Sequence, residues 1–299
     1  MESNTLFATH AGFLNDSSEL LAARELLVRL LAPEIRGIIE PYIGNKKISP
    51  QLIAADGGLE LHTLRLVKFI IKSFYDRVGD DFFIASFCGY PNDEYVRQNG
   101  LLSQWRAYGN IQGFAIELDT KAIEALIERE QEEYLHPFIG FADAVYGQDH
   151  TLFSDDFLPR FNKLKEFVVA NIRKDLGENV TVDPTSGFAP FCYCISMLKH
   201  RGFQEEREVR IAISPRGESE DESGVEKSPA QSRRQKRICS RLRSSVPVPY
   251  IQLFDIGAQP LPITRIIVGP SKSKRESAYA IEKILGRKIP ITICETPFV

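Results

Sequence analysis

The fold is decided by residues 206–213, which read Glu-Arg-Glu-Val-Arg-Ile-Ala-Ile. The alternation of this stretch predicts a strand whose core face carries Val209, Ile211 and Ile213. Outward from it, further strands are predicted at residues 5–9, 81–88, 113–118, 141–146, 246–254, 263–268 and 289–294. Helices are predicted at residues 17–31, 59–77, 101–108, 120–133, 155–176, 191–200 and 271–285, the first of them ending before Pro33.

The order of these elements predicts an α+β fold. Long helices fall mostly in the first half and strands in the second, without the strict alternation of a doubly wound parallel sheet. We expect a single domain over residues 1–299, with a mixed, mostly antiparallel sheet and flanking helices. Residues 214–245 lose large apolar side chains and carry an acidic block followed by a basic one, which predicts a flexible surface insertion.

Composition limits the function classes. The 299 residues hold 37 Lys and Arg against 40 Asp and Glu, a net charge of −3, so no global basic field attracts nucleic acid. The basic block within 233–243 is balanced by the acidic block before it, which also disfavours a nucleic-acid partner. No apolar run approaches the ~18 residues that span a bilayer, and no signal peptide opens the chain. Five scattered cysteines favour reduced thiols and a cytoplasmic location.

Several common catalytic and cofactor motifs are missing from the sequence. It contains neither of the usual glycine-rich phosphate loops, no H-E-x-x-H motif and no G-x-S-x-G motif. Cys192 and Cys194 lack the second pair that a zinc site needs, and buried thiols are the better interpretation. No metal site is predicted.

The first candidate cluster surrounds the only tryptophan, Trp105. On one helical turn Trp105 and Tyr108 share a face, and Arg106 lies beside them. The aromatic rings can stack on a planar ligand, and the guanidinium can bind phosphate or carboxylate. The alternative is a core tryptophan with an arginine that reaches solvent.

The second candidate cluster is the charged stretch 199–210. Glu206 and Glu208 are predicted on one strand face, ~7 Å apart, with Lys199 and Arg210 nearby. Paired carboxylates suit acid/base chemistry or stabilisation of an oxocarbenium-like cation. The alternative is a solvated edge of Glu–Arg pairs. A third candidate, Ser86, sits in an apolar strand, where a buried serine often makes one hydrogen bond and nothing more.

Taken together, these segments resemble an uncharacterised prokaryotic domain-of-unknown-function family, number twenty-nine seventy-one. The motifs that carry the resemblance span almost the whole chain. They are N-D-x-x-E (Asn15, Asp16, Glu19), S-F-C (86–88), L-S-Q-W-R-x-Y-G (102–109), K-H-x-x-F-x-x-E-x-E-x-R (199–210), I-I-V-G-P (266–270) and the Pro297-Phe298 end. The family name carries no function.

A more distant resemblance links residues 206–211 to the E-x-E strand of ADP-ribosyltransferases. It implies NAD as co-substrate, Glu208 as the residue that stabilises the ribosyl cation, and Glu206 as the residue that orients or deprotonates the acceptor. Ser86 resembles that fold's S-T-S strand. Pyrophosphate contacts would come from Arg106, Lys199 or Arg210, stacking from Trp105 or Tyr108, and further ligand contacts from Asn15, Asp16 and Glu19. The family's aromatic strand ahead of N-D-x-x-E has no counterpart here, so the resemblance implies either that the start is set too late or that the chain lacks this N-terminal strand and one side of the pocket.

Three hypotheses follow. The chain is an NAD-consuming, ADP-ribosyltransferase-like enzyme related to toxins or defence, a non-catalytic nucleotide- or partner-binding module, or a scaffold in which these charged groups only hold the fold. The first two expect Ser86, Trp105 or Tyr108, and Glu208 to converge on one concave pocket. The third expects them to scatter. The sequence does not indicate the acceptor or the oligomeric state.

Overall fold

The α+β prediction is confirmed by the computed structural model, which describes residues 5–14, 19–44, 47–78, 82–89, 93–109, 113–147, 154–215, 234–257, 260–285 and 288–297. Its strands are β1 Leu6–His10, β2 Phe83–Cys88, β3 Phe114–Leu118, β4 Phe138–Asp143, β5 Val145–Tyr146, β6 Leu198–Lys199, β7 Glu208–Ser214, β8 Ile238–Arg243, β9 Val246–Leu253, β10 Ile263–Val268 and β11 Ile291–Ile293. Its α-helices are α1 Glu19–Gly44, α2 Pro50–Ala55, α3 Leu59–Val78, α4 Glu94–Asn99, α5 Leu102–Tyr108, α6 Thr120–Glu133, α7 Phe157–Asp175, α8 Phe188–Met197 and α9 Lys274–Ile284.

The central feature is a six-stranded sheet in the order β4-β7-β2-β1-β9-β8, in which every neighbouring pair is antiparallel. A second sheet has the order β11-β10-β3, and β10 runs parallel to β11 and antiparallel to β3. Strands β5 and β6 form a short parallel pair. The predicted mixed, mostly antiparallel sheet is therefore present.

Two apolar clusters cover the two faces of the large sheet. Helices α1, α3, α7 and α8 pack on one face, where Ala212 of β7 meets residues such as Phe191. On the other face Ile211 and Ile213 pack with Ile123 and Ile127 of α6. The alternation predicted for β7 thus separates these two clusters, and the strand runs through the centre of the molecule.

Helix α1 is longer than the sequence predicts, because it continues through Pro33 and Pro41 to Gly44. A proline inside a helix costs about 3 kcal/mol. Beyond Pro33, however, the apolar four-residue spacing continues, and the side chains that share this buried stripe are Leu27, Leu31, Ile35 and Ile39, each at most 1% exposed. Burying one such side chain stabilises by about 1.5–3 kcal/mol, so packing outweighs the proline.

The predicted insertion, residues 214–245, is partly a strand of the main sheet. Residues 216–233 lie outside the described part of the chain, whereas β8 pairs with β9 along its whole length. Ser244 and Ser245 join the two strands with φ of 48° and 68°, the positive values that a type I′ hairpin turn requires. Serine is an unusual residue there, which is why the hairpin is hidden in the sequence.

A buried ionic network fixes the chain just before β8. Lys236 Nζ lies 2.6 Å from Glu130 Oε1 and 2.6 Å from Asp255 Oδ1, and the side chains of Lys236 and Glu130 are 2% and 0% exposed. Burial raises the pKa of Glu130, but bonds to His136 and Lys236 and the Phe254 amide reverse this and leave it below its ordinary value. The network joins the end of α6 to the start of β8.

Candidate functional site

A cavity of about 690 Å³ lies where β2 and β4 end and β7 begins. These strands contribute Phe87, Phe141 and Val209 to its wall. The opposite wall is β3 of the second sheet, and α5 and the first turn of α6 close the sides. The strand order places all three strand ends together, because β7 is hydrogen-bonded to both β2 and β4.

Large apolar side chains in this cavity are open to solvent. Tyr108 is 54% exposed, Phe114 40% and Ile116 45%. Burial of such groups by an apolar ligand would remove them from water, which is favourable in proportion to the area covered. A concave site of this volume with an apolar lining is typical of a small-molecule pocket.

The charged residues that line the cavity are mostly acidic. Among the described residues, four are carboxylates and one, Arg97, is a cation; the carboxylates are Glu117, Glu124, Asp143 and Asp156. Glu117 pairs with Arg265 at 2.6 Å, and Asp156 lies 3.6 Å from Arg160. Asp143 and Glu124 form no ion pair with any residue in the described ranges. They give the cavity an uncompensated negative charge.

Trp105 is a wall residue held by close backbone contacts. Its side chain is 8% exposed, and its Nε1 donates to the Asn99 carbonyl at 2.7 Å. A Cβ at Gly100 would lie 2.8 Å from the indole Nε1, and one at Gly269 would lie 2.7 Å from Cζ3. These glycines allow the backbone to approach the ring, so the motifs at 102–109 and 266–270 meet at one point.

Next to the cavity, Glu208 lies at the centre of a compact ion-pair cluster. Lys199 Nζ lies 2.5 Å from Glu208 Oε2 and 2.6 Å from Glu206 Oε2. Arg210 reaches the same carboxylate through Nε at 2.8 Å and Nη2 at 3.0 Å, and its Nη1 donates to the Ser196 carbonyl. The side chains of Glu208, Lys199 and Arg210 are 6%, 8% and 1% exposed. Both oxygens of Glu208 are therefore engaged.

The cluster keeps Glu208 ionised. Burial raises its pKa, but the hydrogen bonds and charges of Arg210 and Lys199, with the Ser86 hydroxyl, reverse this and hold the pKa below its ordinary value. Tyr146 accepts a bond from the Glu208 amide at 2.8 Å, and burial raises the pKa of the tyrosine. A carboxylate bound by two cations has little negative charge left for a ligand.

Ser86 connects the cluster with the cavity. Glu208 itself does not line the cavity, whereas its neighbour Val209, which points to the other face of β7, does. Ser86 lies opposite Arg210 in the sheet register and lines the cavity, and its hydroxyl helps to lower the pKa of the Glu208 carboxylate. Ser86, Trp105 and Tyr108 therefore line one cavity, whereas Glu208, which was predicted to converge with them, lies outside its wall.

The remaining predicted site residues are placed as follows. Arg106 is exposed and does not line the cavity. Glu206 ends the 3-10 helix Arg201–Glu206 and is not on a strand face as predicted, because Arg207 has φ 43° and breaks the extended chain. Asn15 and Asp16 lie outside the described residues, as does the side chain of Glu19, which begins α1.

Sequence reasoning missed several residues of this region. Asp143 ends β4, Glu124 lies on α6, and Tyr146 forms part of β5. Asp143 and Tyr146 are three residues apart, whereas Glu124 lies on a different element, and the fold brings it to the same region. Cys88 also lines the cavity; burial raises the pKa of its thiol, although Arg207 lowers it in part.

One comparison with known proteins gives a match. Residues 104–211 match the protein family described as protein of unknown function (DUF2971). The match supports the predicted resemblance to an uncharacterised domain-of-unknown-function family over these residues, which make up less than half of the chain. The DUF2971 segment begins in α5 and ends in β7, so it contains Trp105, Tyr108, Lys199, Glu208 and Arg210.

Two other comparisons, one with curated proteins and one with solved structures, gave no match to this chain. Among the described residues, no helix has the length and apolar character to cross a membrane. In the same ranges, no group of three or more His, Cys, Asp or Glu side chains is placed to hold a metal ion.

Proposed function

We propose that this chain is a small-molecule-binding module whose ligand occupies the cavity between β2, β4, β7 and β3. The observation that carries the proposal is the set of exposed apolar side chains, Tyr108, Phe114 and Ile116, inside a concave space of about 690 Å³. Pockets of roughly 300–1,000 Å³ with an apolar lining suit organic ligands of drug size. Aromatic side chains in the wall favour a ligand with a planar ring.

The test uses a neutral aromatic dye, N-phenyl-1-naphthylamine, whose fluorescence rises in apolar surroundings. We expect saturable binding, and we expect Ile116→Glu to weaken it by roughly tenfold to a hundredfold, because the dye loses apolar contact worth ~1.5–3 kcal/mol. Leu242→Glu is the matched control, since Leu242 is a 77% exposed strand residue outside the cavity. Equal binding by both variants would place the dye elsewhere and contradict the proposal.

Cys88 supplies an independent readout of position. In a Cys239→Ser background, it is the exposed thiol among the described cysteines. Because burial raises its pKa, alkylation by iodoacetamide is measured at about pH 9. Saturating dye is expected to slow this alkylation several-fold, and an unchanged rate with dye bound would count against the cavity as the binding site.

A second candidate is an NAD-consuming, ADP-ribosyltransferase-like enzyme, and the position of Ser86 favours it. Ser86 lines the cavity and helps to lower the pKa of Glu208, so this carboxylate lies close behind the wall, where a ribosyl cation would need stabilisation. This candidate needs Glu208 to exchange a partner for the substrate, since Lys199 and Arg210 hold it in the free protein.

Nicotinamide release from NAD tests the second candidate, with cell lysate as the source of acceptor. It expects measurable release by the native chain and a loss on the order of 10²-fold or more in Ser86→Ala and Glu208→Gln. Ser86→Ala is included because the serine is partly open to solvent and its loss leaves the Lys199 and Arg210 bonds in place. Absence of release, with no change in melting temperature on adding NAD, would exclude NAD chemistry.

A further inference from the structure

We infer that the ligand of this cavity is a small organic cation, an amine or guanidinium joined to an aromatic or branched apolar body. This inference rests on the proposed binding function and narrows it to one chemical class. It is drawn from the charges that line the cavity, from the aromatic side chains beside them, and from the engagement of the nearby cations with other partners.

The carboxylates in the wall set the sign of the ligand's charge. Among the described residues, the lining contains four carboxylates and one cation, Arg97. Two of the carboxylates, Asp143 and Glu124, pair with no cation in the described ranges. They come from two different elements, the end of β4 and the first turns of α6. A cavity with low-dielectric walls concentrates such a field, so it attracts a cation and repels an anion.

Aromatic side chains lie in the same wall as these carboxylates. Phe87, Phe141, Phe114 and Tyr108 all line the cavity, and the last two are exposed. An organic cation is attracted both by carboxylates and by aromatic ring faces, whereas a hydrated metal ion gains nothing from apolar walls. The combination of open rings and unpaired acids therefore favours an amine or guanidinium with an apolar body.

The cations that a phosphate-bearing ligand would need are engaged elsewhere. Lys199 and Arg210 are bound to Glu206 and Glu208, and neither lines the cavity. Arg106 also lies outside it. Among the described lining residues, Arg97 is the cation that faces Asp143 and Glu124, the two carboxylates without an ion pair there, so a pyrophosphate would meet net repulsion. The same argument separates this inference from the NAD hypothesis.

The experiment compares three probes of nearly equal shape by calorimetry: 2-phenylethylamine, 2-phenylethanol and 3-phenylpropanoate. We expect the amine to bind at least tenfold more tightly than the alcohol and the carboxylate to bind most weakly. The double variant Asp143→Asn, Glu124→Gln is expected to bring the amine to the affinity of the alcohol and to leave the alcohol unchanged. Glu128→Gln is the control, an exposed carboxylate one turn further along α6 that does not line the cavity.

The outcomes separate this inference from the proposed function. If N-phenyl-1-naphthylamine binds and is displaced equally well by the alcohol and the amine, the charge preference is wrong and the binding module stands. If the carboxylate binds most tightly, the inference is likewise overturned. If neither the dye nor any probe binds, the proposed function falls together with the inference.

Discussion

Glu208→Gln is expected to lower the free energy of unfolding by about 3–5 kcal/mol at pH 7, the cost of removing one partner from a buried ion pair. The substitution removes the carboxylate that binds Arg210 and Lys199, 1% and 8% exposed, and leaves Glu206 as the acidic partner of Lys199. Urea unfolding followed by the fluorescence of Trp105 measures the loss. The single tryptophan makes the signal unambiguous.

Glu206→Gln is the matched control for this prediction. Glu206 shares Lys199 with Glu208, but its side chain is 23% exposed, and Lys199 keeps its shorter contact when Glu206 is neutral. We expect a loss of about 1 kcal/mol or less, as for a partly solvated pair. Equal stability of Glu208→Gln and the native chain would show that the cluster does not hold the fold. It would favour the hypothesis that Glu208 is a catalytic residue.

The difference in stability between the native protein and Glu208→Gln is expected to depend on pH. The pKa of Glu208 is lower in the folded chain than its ordinary value near 4.5, so its contribution to stability is complete above that value. The contribution is lost as the pH falls through the folded pKa, because the proton then binds the folded state too. The stability difference between native protein and Glu208→Gln should therefore be largest near neutrality and shrink in acid below pH 4.

Lys236→Met is expected to be as costly, about 3–5 kcal/mol, because Glu130 is then left buried without its cation. The methionine keeps much of the apolar stem of the lysine and removes the ammonium group, whose Nζ lies 3.6 Å from the centroid of the Tyr134 ring. The loss should therefore report the charge. Thermal and urea unfolding measure it, with Arg237→Met, an exposed neighbour, as the control within about 0.5 kcal/mol of the native chain.

A second substitution distinguishes charge from packing at this network. In the double variant Lys236→Met, Glu130→Gln, the side chain at position 130 is uncharged as well, so most of the lost stability should return. Recovery of less than about 1 kcal/mol would indicate that the lysine acts through shape, and the ionic explanation would be abandoned. His136 contacts the same carboxylate at 3.3 Å and is expected to remain in place in the double variant.

Local patterns were enough to predict much of the fold. The periodicity of α3 and α6 and the alternation of β7 are strong enough to fix their type and bounds within a residue or two. The prediction from pattern failed where a long-range contact outweighs a local rule. Helix α1 continues through Pro33 because its apolar stripe is buried in the core on both sides of this proline. It failed again at β8, whose Ser244-Ser245 turn lacks the usual glycine.

The candidate site was predictable only in part, for a related reason. Trp105 was found as the only tryptophan, Tyr108 by its helical spacing from it, and Ser86 as a polar residue in an apolar strand; all three line the cavity. Asp143 and Glu124 are ordinary exposed acidic residues, and they line the same cavity only because β4 and α6 lie next to each other in the fold. The position of Glu206 depends on the left-handed Arg207, which no periodicity reveals.

The glycine contacts around Trp105 also bear on the order in which the molecule assembles. Helix α5 has seven residues, too short to persist alone, and its ring packs on Ile267 and Cys294, which lie far along the chain. Such non-local contacts form late, because a long loop must close first. During synthesis, strands β2, β4 and β7 of the cavity wall are made well before residues 263–294, which pack against Trp105 in the side wall. Ligand would therefore find no binding place on the growing chain, and would stabilise the protein only after β10 and β11 have joined β3.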